Sequence, residues 1–296
     1  MKIGLIDIDA KIPNLALMKL SAYFKGQGDK VELTSPLFAK DFDEIFASKI
    51  FNYTVKPILP EKAILGGSGY SLKTCLDNDV EYLMPDYSLY NCDYAMGFAS
   101  RGCNRNCPFC IVPKKEGKWR VAGDIYQFWN GQKRLKLLDN SLNTDEGFFI
   151  EIVKQFINEQ IEVDFSQGLD IRHLTDKQVF YLKQIKLWKR IHFAWDLMKT
   201  EKAVRRGVKI LTKYKLNWQS TFYVLIGFNT NLEEDLYRVN TLKGLNVESF
   251  AMPYDKYNCY QKDFTRWVNH KAIFKTVSWD DYKSNIKRGS LFKSSK

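Results

Sequence analysis

Arg101-Gly102-Cys103-Asn104-Arg105-Asn106-Cys107-Pro108-Phe109-Cys110 places three cysteines in eight residues at C-x3-C-x2-C spacing. Gly102 and Pro108 break regular structure on either side of Asn106, so the stretch reads as a loop, and each spacing is short enough for the thiolates to wrap one metal centre. A structural zinc site closes with four ligands. Here the nearest further cysteine is Cys92 and the nearest histidine is His173, which do not complete a local set of four. Iron–sulfur clusters are held by cysteine thiolates, usually four, and a cubane gripped by three keeps one iron without a protein ligand. Buried cysteines serving only as core filler rarely cluster so tightly.

Outward from the loop, the composition is that of a globular protein. The 296 residues are 45% hydrophobic and 27% charged, which allows one or two domains with a large core. No apolar run approaches the ~18 residues that span a bilayer, and the acidic start Met1–Asp9 does not read as a signal peptide. Six cysteines with one tight group fit a reducing cytoplasm better than a disulfide framework. The net charge of +11 is uneven: residues 1–90 carry ten lysines, no arginine and twelve acidic residues, a net −2, which leaves +13 on residues 91–296. Basic residues also gather at the end, at Lys283, Lys287, Arg288, Lys293 and Lys296. Such a basic face suits nucleic acid, a small acidic electron donor, or simple solvation.

The first ninety residues read as a small Rossmann-like α/β unit. Lys2–Ile8 is an apolar strand, Pro13 opens a helix running to about Phe24, Lys30–Thr34 is a second strand, and Ile45–Ala47 and Ala63–Leu65 are further strands. Strand–helix–strand order implies a parallel sheet. The last strand runs into Gly66-Gly67-Ser68-Gly69-Tyr70, a place for close backbone approach or a plain turn.

From Tyr94 the pattern repeats in steps of roughly thirty residues, the length of a strand–helix–strand unit. Strands are expected at Tyr94–Ala99, Leu135–Leu138, Val163–Phe165, Ile191–Trp195, Thr221–Ile226 and Val247–Met252. Helices are expected near 145–159, 175–184, 200–215 and 231–243, with a further candidate at Phe264–Phe274. Six strands over this length predict an incomplete parallel barrel, since closed eight-stranded barrels take ~250 residues. The fold class expected is therefore α/β: a partial parallel (β/α)6 barrel over 91–256, preceded by the Rossmann-like domain over 1–90 and followed by a basic extension over 257–296. Functional groups of such barrels collect where strands end. The cysteine loop follows the first barrel strand, Asp139 and Asn140 end the second, Gln167, Asp170 and Arg172 follow the third, Asp196 ends the fourth, and Ile226 and Gly227 end the fifth.

The cysteine run resembles the cluster motif of the radical S-adenosylmethionine superfamily, in which an aromatic residue, here Phe109, precedes the third cysteine. Phe165–Arg172, Phe193–Asp196, Tyr223–Phe228 and Met252–Tyr254 are similar to a subgroup described as iron–sulfur oxidoreductases, so the resemblance covers about residues 94–255. It implies a [4Fe-4S] cluster on Cys103, Cys107 and Cys110, with S-adenosylmethionine completing its coordination. It further implies contacts to that cofactor from Phe109, Asp139, Asn140, Gln167, Asp170, Arg172, Asp196, Ile226 and Gly227. The usual Gly-Gly-Glu form at the second strand is replaced by Asp139-Asn140. The amino-terminal unit is similar to the cobalamin-binding domain of many members, which makes cobalamin a candidate cofactor. Its D-x-H-x-x-G motif is absent, because His173, His192 and His270 all lie downstream. Cys75 and Cys92 fall one short of the three cysteines that hold a second cluster in methylthiotransferases of the superfamily.

The reaction implied is radical chemistry on a substrate left open between RNA and a peptide or metabolite. The implied partner is a reduced flavodoxin- or ferredoxin-like donor. Trp119 between Lys118 and Arg120, and Trp188 before Lys189-Arg190, are candidates for base stacking. Two other classes stay in play: a non-catalytic iron–sulfur protein and a nucleic-acid-binding module without chemistry.

Overall fold

The run Lys2–Asp7 is apolar at four successive positions, and a strand of that kind is stable only when covered on both faces. In the computed structural model, described over residues 1–283, it is β1, a central strand with Ile3 and Leu5 packed against Leu17, Phe24 and Val31, and Ile6 packed against Ala39, Phe42, Ile45 and Ala47. Helix α1 (Leu15–Gly26) begins at Asn14, whose side chain accepts from the Leu17 amide at 3.4 Å and donates to Ser48 Oγ at 2.9 Å. An amino-terminal cap of this kind stabilises a helix by about 1 kcal/mol. With β2 (Lys30–Leu33), β3 (Glu44–Ser48) and β4 (Ile64–Gly66), the strands form a parallel sheet in the order β2-β1-β3-β4. The expected parallel pairing and the strand–helix–strand order β1-α1-β2 are present.

The described residues divide into two compact units, Met1–Gln167 with Ile185–Lys189, and Gly168–Gln184 with 190–283. The first unit holds the sheet above, the short helix α2 (Asn78–Glu81) and a second parallel sheet. That sheet is built from β5 (Ala95–Gly97), β8 (Arg134–Leu137), β9 (Glu162–Phe165) and β10 (Lys186–Leu187), each hydrogen-bonded to the next. Between β5 and β8 the chain makes a two-residue antiparallel pair, β6 (Ser100–Arg101) with β7 (Arg120–Val121), and a one-turn helix, α3 (Val112–Lys115). Helix α4 (Glu146–Asn158) buries Phe149, Ile152, Val153 and Phe156, with Phe156 edge-on to Phe165 of β9 at 6.4 Å. Leu15 and Met18 of α1 share a core with Met96 and Leu138, so the two sheets of this unit are packed together.

The second unit contains α5 (Asp176–Leu182), α6 (Glu201–Lys213), α7 (Leu232–Gly244) and a parallel sheet of β11 (Ile191–Ala194), β12 (Ser220–Ile226) and β13 (Glu248–Pro253). Phe222, Val224 and Ile226 alternate along β12 and are fully buried. Removing such side chains from water contributes about 2 kcal/mol each. After β13, α8 (Cys259–Asn269) and α9 (Lys271–Thr276) supply the rings of Phe264, Trp267 and Phe274, which pack with Trp279 beyond α9. Asn269 behaves as a substitute strand: its side chain accepts from the Ala251 amide at 2.8 Å and donates to the Ala251 carbonyl at 3.0 Å, pairing backbone groups of β13.

All six strands expected from Tyr94 to Met252 form, and the α/β class with parallel sheets holds. They are hydrogen-bonded as two ladders rather than one, β5-β8-β9 and β11-β12-β13. The physical reason is β10: Lys186 and Leu187 pair with Glu162 and Val163 and take the edge of β9. The single helix expected over Phe264–Phe274 is two helices, because His270 leaves helical geometry (ψ 89) and caps α9 with its ring. Of the basic tail, Lys287, Arg288, Lys293 and Lys296 lie outside the described residues. Among the described residues no helix is long and apolar enough to cross a membrane.

Candidate metal centre and its supports

The cysteine loop leaves β6 and returns through α3 to β7, so the antiparallel pair closes its two ends together. Gly102 enters the loop at φ +78, a left-handed conformation, and a Cβ there would lie 2.3 Å from the Lys118 carbonyl oxygen. Both facts require glycine. Its amide donates to Asn140 Oδ1 at 3.2 Å. The Cys103 amide donates to the Gly117 carbonyl at 3.2 Å, and Asn104 Oδ1 accepts from the Trp119 amide at 3.1 Å. Residues 117–119 therefore form a strap that clasps the start of the loop. Within the loop, the Arg105 amide donates to Cys103 Sγ at 3.4 Å and the Cys110 amide to the Cys107 carbonyl at 3.0 Å. Cys103, Cys107 and Cys110 are half-buried and free of disulfides, and Phe109 is half-buried between the last two. Among the described residues no three of His, Cys, Asp and Glu are gathered as a single-ion site requires.

Replacing Gly102 with alanine is expected to strain the backbone and push the strap away, at a cost of about 1–3 kcal/mol. The check is iron bound per chain after anaerobic reconstitution, which should fall severalfold while Gly117→Ala, in open space at φ +73, retains more of it.

Asp139 is 3% exposed and accepts from the Ala99 amide at 3.2 Å, from Ser100 Oγ at 2.8 Å and from the Ser100 amide. It thus ties the end of β8 to the turn that feeds the cysteine loop. Burial pushes its carboxyl up to about 6, partly offset by the hydrogen bonds from Ser100 and Ala99. The folded state binds this proton more tightly than the unfolded chain does. The associated stability is present below the ordinary carboxylate range and lost as pH rises through about 6. Urea titrations of the apo chain from about pH 4 to pH 7 should show the wild type losing on the order of 2 kcal/mol more than Asp139→Asn. Parallel pH profiles would reject this assignment.

In the second unit, Arg172 grips Asp170 with two nitrogens, at 2.7 and 2.8 Å. Burial alone would raise the Asp170 carboxyl, but the hydrogen bonds and charge of Arg172 outweigh it and hold the group below the usual range. Asp196 accepts from the Leu225 amide at 3.0 Å; burial raises its carboxyl, against the effect of that bond and of Arg238 and Arg172. Ile226 is fully buried, and Gly227 (φ +75) gives its amide to Asp235 Oδ2 at 3.3 Å. Gln167, at the end of the first unit, is exposed.

Two residues that organise these strand ends were not singled out from the sequence. Arg238, 0% exposed, donates to the carbonyls of Trp195 at 2.8 Å, Asp196 at 3.0 Å and Leu225 at 2.8 Å, and pairs with Asp235, itself 0% exposed. Asp235 also accepts from Thr230 Oγ1 and the Tyr260 hydroxyl, each at 2.7 Å. The signal was present in α7: Asp235, Arg238, Val239 and Leu242 fall at i, i+3, i+4 and i+7, so two charges occupy the buried stripe of a helix.

The stacking candidates are engaged within the fold. Trp119 is half-buried, edge-on to Phe148 at 5.8 Å, with a buried indole nitrogen that has no partner among the described residues. Trp188 lies 5.2 Å from Tyr94 and under Arg134 and Lys136 at 5.3 and 5.2 Å. In the amino-terminal sheet, a Cβ on Gly67 would lie 2.4 Å from the Lys49 carbonyl oxygen and one on Gly69 2.8 Å from Lys49 Cε. The glycine loop is thus filled by the chain itself.

No protein-family model matches this sequence, and no curated protein sequence matches it. Among solved structures, the chain is similar to the radical S-adenosylmethionine methyltransferase TsrM from Kitasatospora setae, determined with cobalamin and a [4Fe-4S] cluster bound. The TM-score is 0.61 at 10% identity, over 85% of this chain and 72% of that one. At so low an identity the likeness is one of fold: a mixed α/β architecture with parallel sheets.

Proposed function

We propose that this chain is a radical S-adenosylmethionine enzyme whose Cys103, Cys107 and Cys110 hold a [4Fe-4S] cluster. The observation that carries the reading is the cysteine loop itself: three half-buried cysteines in eight residues, outside any disulfide, closed by β6–β7 and braced by Asn140 and residues 117–119, just after a parallel strand. The donor set fits that group. A tetrahedral ion about 2.3 Å from each sulfur draws its thiolates within about 4 Å of one another, whereas a cubane takes one thiolate at each of three corners and leaves them farther apart.

When bound, such a cluster supplies one electron for cleavage of S-adenosylmethionine to methionine and a 5′-deoxyadenosyl radical that takes hydrogen from substrate. The chain's own residues position and shield it. Asp139 and Asn140 hold the loop in place, Phe109 offers an apolar face for the adenine, and Gln167 is an exposed donor and acceptor for S-adenosylmethionine. Candidate cofactor contacts in the second unit are Asp170, Arg172, Asp196, Ile226 and Gly227, with Arg238 fixing the β11 and β12 ends that carry the last three. The partial (β/α)6 barrel over 91–256, the flanking domains over 1–90 and 257–296, and the cytoplasmic setting belong to the same proposal.

Histidine-ligated cobalamin is left out of it. No histidine lies in the amino-terminal unit, and the Gly66–Tyr70 loop is packed against Lys49.

Anaerobic reconstitution followed by dithionite and S-adenosylmethionine tests the reading. The expected product is 5′-deoxyadenosine, and its absence with an intact cluster would leave a non-catalytic iron–sulfur protein. Mass spectrometry on cell-extract fractions treated in the same way identifies the substrate.

A further inference from the structure

Reductive cleavage consumes an electron that comes from outside the cluster. The surface beside the cysteine loop has an unusual charge. Residues 102–121 contain five cations, Arg105, Lys114, Lys115, Lys118 and Arg120, and a single acid, Glu116. That acid faces away from solvent toward Arg101, whose Nη1 lies 3.1 Å from it. Lys114, Lys118 and Arg120 are exposed and form no ion pair among the described residues; the Arg120 guanidinium only donates to the Glu116 carbonyl, at 2.5 Å.

Lys118 lies in the strap, Arg120 follows it on β7 and Lys114 precedes it on α3. The Lys118 carbonyl abuts Gly102, and the neighbouring residues Gly117 and Trp119 hydrogen-bond Cys103 and Asn104. Exposed Ile111 (53%) and Val121 (54%) add apolar surface beside the charges. A partner seated here lies against the backbone that holds the first thiolate.

Resting on the function proposed above, we infer that this strap is the docking surface for a small acidic one-electron carrier protein. Charge complementarity selects an acidic partner and speeds its encounter, and the exposed apolar pair suits a protein rim. Single-stranded RNA is the less favoured occupant, because the strap's one indole, Trp119, is packed on Phe148 with its nitrogen buried rather than offered to a base. In the encounter one electron leaves the carrier's reduced cofactor, which is oxidised, and enters the thiolate-held cluster, which is reduced. No bond forms or breaks and no proton moves.

The test compares wild type with Lys114→Glu/Lys118→Glu/Arg120→Glu, using flavodoxin as the probe. Its affinity is measured by calorimetry on both apo and reconstituted chains, and the rate of cluster bleaching by flavodoxin hydroquinone is measured by stopped flow. At low salt the variant should bind at least about tenfold more weakly and be reduced correspondingly more slowly, and the steep salt dependence of the wild type should flatten. Dithionite, which needs no docking surface, should bleach both clusters alike. A control at exposed lysines elsewhere, Lys183→Glu/Lys202→Glu/Lys209→Glu, should keep wild-type affinity.

Unchanged affinity in the strap variant, or equal loss in the control, would overturn the inference. So would loss of binding to a single-stranded RNA probe with flavodoxin affinity intact. Where charge reversal unfolds the strap, Lys114→Gln/Lys118→Gln/Arg120→Gln carries the same test with a severalfold effect. A wild-type chain that assembles no cluster refutes the proposed function, while apo-chain affinity still decides the docking surface.

Discussion

Replacing Arg238 with methionine is expected to remove a large part of the stability of the second unit. The guanidinium is fully buried and satisfies three main-chain carbonyls, those of Trp195, Asp196 and Leu225, together with the Asp235 carboxylate. Methionine matches the length of the stem but supplies no donor. The carbonyls lose their partner, and Asp235 becomes a buried charge facing only the Gly227 amide and the hydroxyls of Thr230 and Tyr260. Breaking a buried pair from one side costs about 3–5 kcal/mol, a major share of the 5–15 kcal/mol typical of a folded domain. Urea unfolding followed by tryptophan fluorescence measures the loss. Asp235→Asn added to Arg238→Met should restore at least about 1 kcal/mol, because it removes the stranded charge and leaves an amide that the two hydroxyls can still partner. A double variant no more stable than the single one would show that the carbonyl contacts, not the ion pair, dominate.

Changing Cys103, Cys107 or Cys110 singly to alanine is expected to have the largest effect on activity. Each thiolate would be one of only three protein ligands, and Cys75, Cys92 and Cys259 are elsewhere in the sequence. Loss of any one should lower reconstituted iron to a small fraction of wild type and bring 5′-deoxyadenosine formation down by at least about a hundredfold. Cys75→Ala and Cys259→Ala, both at exposed sulfurs, should retain wild-type iron and turnover. The comparison is decisive in both directions: a chain that keeps full iron without Cys107 does not use this loop to hold its cluster. Circular dichroism on each apo variant separates lost ligation from lost fold, since the loop is stapled by backbone bonds at Gly102, Cys103 and Asn104 that the thiols do not make.

These two predictions differ in how far ahead of the structure they could be made. The cysteine loop is legible at once, because its chemistry depends on spacing within eight residues, and covalent connection enforces that spacing in any fold. The strands and helices are legible for a related reason. The apolar run of β1, the stripe Phe149, Ile152, Val153 and Phe156 in α4, and the alternation of Phe222, Val224 and Ile226 in β12 are local patterns whose burial follows from their period. Asp139 was found as a strand-end residue, but its hydrogen bonds reach Ser100 across 39 positions, and only folding reveals that it braces the loop.

Arg238 reaches Trp195 across 43 positions, and its charge in α7 looks in sequence like one more solvated residue of a charged helix. The clasp of β6 and β7, the edge taken by β10 and the filling of the glycine loop by Lys49 are likewise contacts between distant segments. By itself the sequence determined the longer strands and helices, the α/β class and the three-thiol loop, since each rests on residues that are neighbours along the chain. The tertiary structure alone decided which groups hold that loop, which charges are buried and which cations are left exposed around it. Those outcomes depend on which distant backbone donors and acceptors meet away from water, and no local pattern encodes them.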